Sequence, residues 1–215
     1  MGSFLINVLA SIIGGILLLW VAAILSRKAR WILTGLLGRL LNIDIDYVFD
    51  DKDDARTDIS SEIKRARNVA IFASRGNELQ RTAFASLFHE KPQKRQVQVR
   101  ILLPKTVLDE GEYDWVLQRE TELAVFDKAY GNGLLRQQIE ASVSFIQQYI
   151  DNSVELRRFN SPHIGRIVIT ERFSYYTPYR SDAHRRDSKV YKFRRGGEMY
   201  DNLLRLFEQL WGVSS

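Results

Sequence analysis

Cysteine is absent from this 215-residue chain. That absence removes disulfides, thiolate metal sites, iron–sulfur clusters and thiol nucleophiles together. Histidine is also scarce: His89, His163 and His184 are far apart, and no HExxH or His–carboxylate metal spacing occurs. A Walker loop and a GxGxxG fingerprint are missing as well. These gaps leave no motif for a metal, a nucleotide cofactor or a redox centre, so no cofactor is expected. Charged residues make up 27%, too many for a polytopic membrane protein, and 45% apolar content is too high for wholesale disorder.

The chain also has no charged side chain before Arg27. Phe4–Leu25 is 22 residues of uncharged, mostly apolar sequence, about 33 Å as a helix, enough to cross a hydrocarbon core of roughly 30 Å. Arg27, Lys28 and Arg30 follow directly, and no Lys or Arg precedes. The positive-inside rule then predicts a single-pass inner-membrane protein of bacterial type, N-terminus out and the remainder cytoplasmic. A cleaved signal peptide fits less well, lacking a basic n-region. Phe4, Trp20, Leu25 and Trp31 are the expected membrane residues. Trp31–Leu41 is too short to span, and three readings stand: an interfacial helix, a re-entrant segment, or a helical continuation packed on the soluble domain. Gly14, Gly15, Gly35 and Gly38 would permit close helix approach, and so a homo-oligomer through the membrane helix.

We divide the chain into residues 1–26 as transmembrane helix, 27–54 as amphipathic segment and acidic connector, and 55–215 as the soluble domain. In that domain the pattern predicts helices over 58–67, 78–89, 113–130, 134–149 and 198–211. Strands are expected over 68–74, 96–103, 154–159, 166–170, 173–177 and 190–193. Strands alternating with helices, then a run of strands and a closing helix, predict an α/β fold with a mixed, mostly parallel sheet flanked by helices.

This order, with Pro162-His163-Ile164-Gly165-Arg166 leading into an apolar strand, resembles one half of the phospholipase D fold. Ser74-Arg75 after the first strand, Leu102-Leu103-Pro104, and the closing Leu206–Trp211 helix add to the similarity. The resemblance spans roughly residues 56–212. It implies a His-x-Lys-x4-Asp motif in which His attacks phosphorus and Lys holds the phosphate. Counted from His163, the Lys position is Gly165 and the Asp position is Thr170, so only the His matches. Arg166 and Glu171 each fall one place late. The domain therefore reads as a non-catalytic relative, with a membrane-tethered phosphodiesterase or nuclease using His163 as the alternative.

Charge is unevenly placed. Residues 157–195 hold 11 basic side chains against 3 acidic, interleaved with aromatics, while the rest of the chain is slightly acidic. Such a stretch suits a solvated face, anionic lipid headgroups, or a pocket for a phosphate-bearing partner such as nucleic acid or a nucleoprotein complex. Arg75, His163, Arg166, Arg172, Tyr176, Arg180 and Lys189 are the candidate ligand residues. The overall architecture resembles membrane effectors of bacterial anti-phage systems of the retron type, which implies a membrane-disrupting toxin. A passive membrane adaptor is the remaining alternative.

Overall fold

The computed structural model describes residues 2–40, 44–79, 84, 87–88, 97–150, 153–179 and 188–214. It opens with two consecutive helices, α1 (Gly2–Leu25) and α2 (Arg27–Leu40). Ser26 joins them: its N–H donates to Ala22 O, its carbonyl accepts from Arg30 N, and its hydroxyl caps α2 at Ala29 N. The apolar side chains of α1 are uncovered, Phe4 at 73% and Trp20 at 63% exposure. Among the described residues, no helix is long and apolar enough to cross a membrane. The backbone itself is helical over all of Gly2–Leu25. Trp31 is half-buried against Tyr47, ring centroids 5.3 Å apart, so α2 packs on the α/β domain.

A seven-stranded sheet forms the domain: β1 (Ile45–Phe49), β2 (Asn68–Phe72), β3 (Gln98–Pro104), β4 (Val154–Phe159), β5 (Gly165–Ile169), β6 (Phe173–Pro178) and β7 (Val190–Arg194). Their spatial order is β1-β7-β6-β5-β2-β3-β4. Only β2–β3 and β3–β4 pair in parallel, and the other four pairings are antiparallel. The sheet is thus mixed as expected but not mostly parallel. A connection as short as Thr170–Arg172 between β5 and β6 can only reverse the chain.

The acidic connector also resolves differently. Its first half is strand β1, on the sheet edge against β7, and its second half opens helix α3 (Lys52–Ile63). Asp51 caps α3 by accepting from Asp53 N, and Asp53 and Asp54 occupy the first turn, where acidic groups complement the helix dipole. The expected helix over 58–67 therefore starts and ends earlier. The stretch 113–130 divides into α4 (Trp115–Ala124) and a 3-10 turn (Lys128–Asn132), before α5 (Leu134–Gln147). Most of 78–89 lies outside the described residues.

Alternation along the strands sends side chains into two cores. Val69, Ile71, Ile101, Leu103 and Val168 face α3, α4 and α5. Ala70, Phe72, Leu102, Ile167 and Ile169 face α6 (Glu198–Val213) through Leu203, Phe207 and Trp211. Burial on both faces explains the continuous apolar runs within these strands, residues 69–72, 101–103 and 167–169. Arg100 fastens α6 to the sheet through a bidentate pair with Glu208, at 2.6 and 2.9 Å. Its guanidinium also lies over the Phe207 and Trp211 rings.

Candidate functional site

The carboxyl ends of β2, β3 and β4 and the start of β5 meet at one end of the sheet. Beyond β2 the chain turns at Gly76 (φ 70°), where a Cβ would come within 2.9 Å of Ser142 Cβ and 3.0 Å of Leu103. Only glycine fits, and it sets the preceding Arg75 side chain inside the fold, 8% exposed. Arg75 Nη1 donates to Tyr130 Oη at 2.5 Å and to Gln138 Oε1 at 2.8 Å. Its Nε is buried and has no hydrogen-bond partner among the described residues.

Arg75 and Arg166 line one pocket, about 550 Å³ of space open to solvent, together with Glu78, Thr177, Tyr179 and Ser188 over an apolar floor that includes Ile71 and Phe84. Arg166 forms an ion pair with Glu78 and donates to Thr177 Oγ1 at 3.5 Å. Burial lowers the Arg166 pKa, but a guanidinium starts so high that it stays charged. Tyr179 closes the rim: its hydroxyl accepts from Ser74 N and its N–H donates to Ile164 O. Two cations against one carboxylate leave the pocket with an excess of one positive charge.

His163 is not among the lining residues. Both its ring nitrogens are buried without a partner among the described residues, and Phe159 meets the ring edge-on at 5.8 Å. Burial, then the nearby Arg119 charge, lower its pKa to about 4 against an opposing pull from Asp114, so the ring is neutral near pH 7. Two positions on, a Cβ on Gly165 would sit 2.5 Å from the Tyr176 ring and 2.7 Å from Thr177 O. The Tyr176 hydroxyl donates to Ile164 O, which holds that ring in place. Arg166 cannot stand in for a lysine at 165, because successive strand residues face opposite sides and Arg166 points to the Val168 side.

Thr170 and Glu171 have structural work at the other end of β5. Thr170 Oγ1 accepts from Arg172 N and Phe173 N and donates to Phe173 O, closing the hairpin turn. Glu171 accepts from Arg67 N and Asn68 N, both at 2.6 Å, at the start of β2. Arg172 lies in that turn, 3.6 Å from Glu62, and so is remote from Arg75. Lys189 is exposed and 3.5 Å from Asp50. Tyr176 faces the α6 side, and Arg180 lies outside the described residues. Of the candidates, then, Arg75 and Arg166 share a pocket and His163 sits near its rim without lining it.

The basic stretch is largely answered by carboxylates. Lys192 meets Asp58 at 2.8 Å and Asp46 at 3.9 Å, and Arg158 meets Glu140 at 2.7 Å. Thr106 and Arg158 both donate to Glu140, and against the opposing effect of burial these bonds hold its carboxyl below the usual range. Sequence reasoning missed Glu78, Tyr130, Gln138 and Tyr179, which become neighbours only through the folded topology. The one available signal was the position of Glu78 just past a Ser-Arg-Gly turn.

No family model matches the chain, and no curated protein matches it. Among solved structures, TrmBL2, described as an archaeal chromatin protein with a novel mode of DNA binding, superposes with TM-score 0.46 and 13% identity. That superposition covers 88% of this chain, which spans only 62% of TrmBL2. NucT from Helicobacter pylori gives TM-score 0.43 at 13% identity, over 78% of this chain and 96% of NucT. Nuc from Salmonella typhimurium, described as a phospholipase D family member, gives 0.42 at 13% identity, over 79% and 95%. Likenesses this distant carry no chemistry across.

Proposed function

We propose that this is a membrane-anchored binding protein whose phospholipase-D-like domain holds a phosphate-bearing partner between Arg75 and Arg166 and does not hydrolyse it. The observation that carries the reading is Gly165. The position where the resemblance calls for a phosphate-holding lysine has no room for any side chain. The nucleophile position fares little better, because His163 keeps both nitrogens buried. What the site retains is the binding half of the chemistry: two guanidiniums, Arg75 buried and Arg166 half-buried, beside an apolar floor.

Support for the anchor is physical. A helix of 24 residues with uncovered apolar side chains and basic residues directly after it is costly in water and stable in a bilayer. Arg27, Lys28 and Arg30 after the helix, with no basic residue before it, support a cytoplasmic domain by the positive-inside rule. A toxin role through helix self-association is the stronger form of this proposal.

Bis-p-nitrophenyl phosphate, a chromogenic phosphodiester, tests the reading. The full chain in detergent is expected to bind it and to release no nitrophenolate, and Arg75→Met and Arg166→Met are each expected to weaken binding about tenfold. Turnover that disappears in His163→Ala would establish the enzyme instead. Membrane fractionation of the full chain and of a variant lacking residues 2–25 tests the anchor. Both forms in the soluble fraction would defeat it.

A further inference from the structure

We infer that Glu78 is an internal competitor for the pocket: its carboxylate occupies Arg166 in the empty site, and a phosphodiester binds by displacing it. This inference rests on the phosphate-binding reading above and adds how that site is regulated.

Three observations meet here. Glu78 and Arg166 both line the pocket, and their charged groups are in direct contact. The side chains differ in freedom, since Arg166 is anchored in strand β5 at 17% exposure while Glu78 projects from the turn after Gly76 at 34%. The other guanidinium of the pocket, Arg75, has a different arrangement. It is held by two neutral acceptors, Tyr130 and Gln138, and keeps a buried Nε with no partner among the described residues. One cation is therefore preset with an unused donor, and the other is covered by a movable anion.

The chemistry follows from charge. A buried guanidinium without an anion is costly, so the empty pocket supplies its own. An incoming phosphodiester offers one negative charge and two free oxygens, enough to take over Arg166 with one oxygen and turn the other toward Arg75, which lines the same pocket. Exchange keeps Arg166 neutralised throughout and releases the Glu78 carboxylate to water, where its solvation is regained. The cost of that displacement sets a threshold: a single monoanionic diester binds weakly, and a ligand with further contacts binds well.

Binding of bis-p-nitrophenyl phosphate to the full chain in detergent, followed by calorimetry, tests this. Glu78→Gln removes the competing charge while keeping shape and a hydrogen-bond acceptor, and is expected to tighten binding about five- to tenfold. Glu78→Asp, which withdraws the carboxylate by one methylene, is expected to shift affinity the same way by less, and serves if the glutamine variant fails to fold. In the Arg166→Met background, Glu78→Gln is expected to gain nothing. Equal or weaker binding by the Gln and Asp variants, with wild type still binding, would overturn the competitor role and leave the binding site standing. Binding by neither wild type nor variant would overturn both. A dinucleoside monophosphate and glycerophosphoglycerol, used as competitors, separate nucleotide from lipid-headgroup sources. Displacement by at least one is expected, and by neither would count against a phosphodiester pocket.

Discussion

At the Thr170 end of strand β5 the polar groups are joined. Thr170 serves three bonds within one turn, and Glu171 ties that turn to the start of β2. At the Gly165 end, His163 keeps two buried nitrogens without partners among the described residues, and Arg75, beyond the end of β2, keeps one. Ser174 Oγ on β6 is the exception near the joined end. A buried polar atom left unpaired costs on the order of 1–3 kcal/mol, so a fold retains it only where something else repays the cost. The difference teaches where to look for ligand contacts: stability is concentrated at one end of β5 and unspent hydrogen-bonding capacity at the other.

The sharpest break in that contrast is Gly165→Lys, which restores the residue the family resemblance calls for. With backbone 2.7 Å from the new Cβ, the β5–β6 pairing must open, at a cost of about 3 kcal/mol or more. Urea denaturation measures it; a stable variant that hydrolyses bis-p-nitrophenyl phosphate would show that the site is catalytic in all but one residue.

Acid probes the same end with the next effect in size. Burial holds the His163 pKa at about 4 in the fold, and in the unfolded chain it returns to the 6.5 of an ordinary imidazole. Its native state therefore favours the neutral ring. The stability that ring contributes is complete above pH 6.5 and declines as pH falls toward 4, where the unfolded chain takes up the proton first. The loss should approach roughly 2–3 kcal/mol. Thermal midpoints across that range should fall in wild type and fall less in His163→Leu; parallel curves would mean that the ring is not buried in solution.

At the joined end, Glu171→Ala is expected to cost about 1–2 kcal/mol by freeing two backbone N–H groups at the start of β2. It should leave ligand binding unchanged, and a matching loss of binding would erase the distinction between the two ends. Lys189→Ala should change stability by less than about 0.5 kcal/mol, because its partner Asp50 is 3.5 Å away and both are exposed. A larger effect would mean that β1 depends on that pair.

Much of the fold was legible. Val154–Phe159, Phe173–Thr177 and the closing helix fall within a residue or two of the observed elements, because β-branched and aromatic residues between turn signals, and Leu203, Phe207 and Trp211 at helical spacing, leave few alternatives. The acidic run 44–54 was misread for a definite reason. A strand that alternates Asp with Ile and Tyr, and a helix that begins with Asp51, Asp53 and Asp54, together look like solvated linker until their partners are known. Asp46 is answered by Lys192 on β7, 146 residues away, and Asp58 of the next helix by the same ammonium. The basic stretch was misjudged for the reciprocal reason: counted alone it is a surplus of charge, whereas in the fold much of it faces acids from the other end of the chain.

The sequence by itself determined the uncharged helix before Arg27, the alternation of strands with helices, and the loss of lysine and aspartate after His163. Those are local properties, set by composition, periodicity and residue identity at one position. The tertiary structure decided which end of the sheet has open capacity, that Arg75 and Arg166 share a pocket while Arg172 is remote, and that Glu78 covers one of the two arginines. Strand order and register make those neighbours, and both depend on pairings between segments about 100 residues apart that no local pattern records.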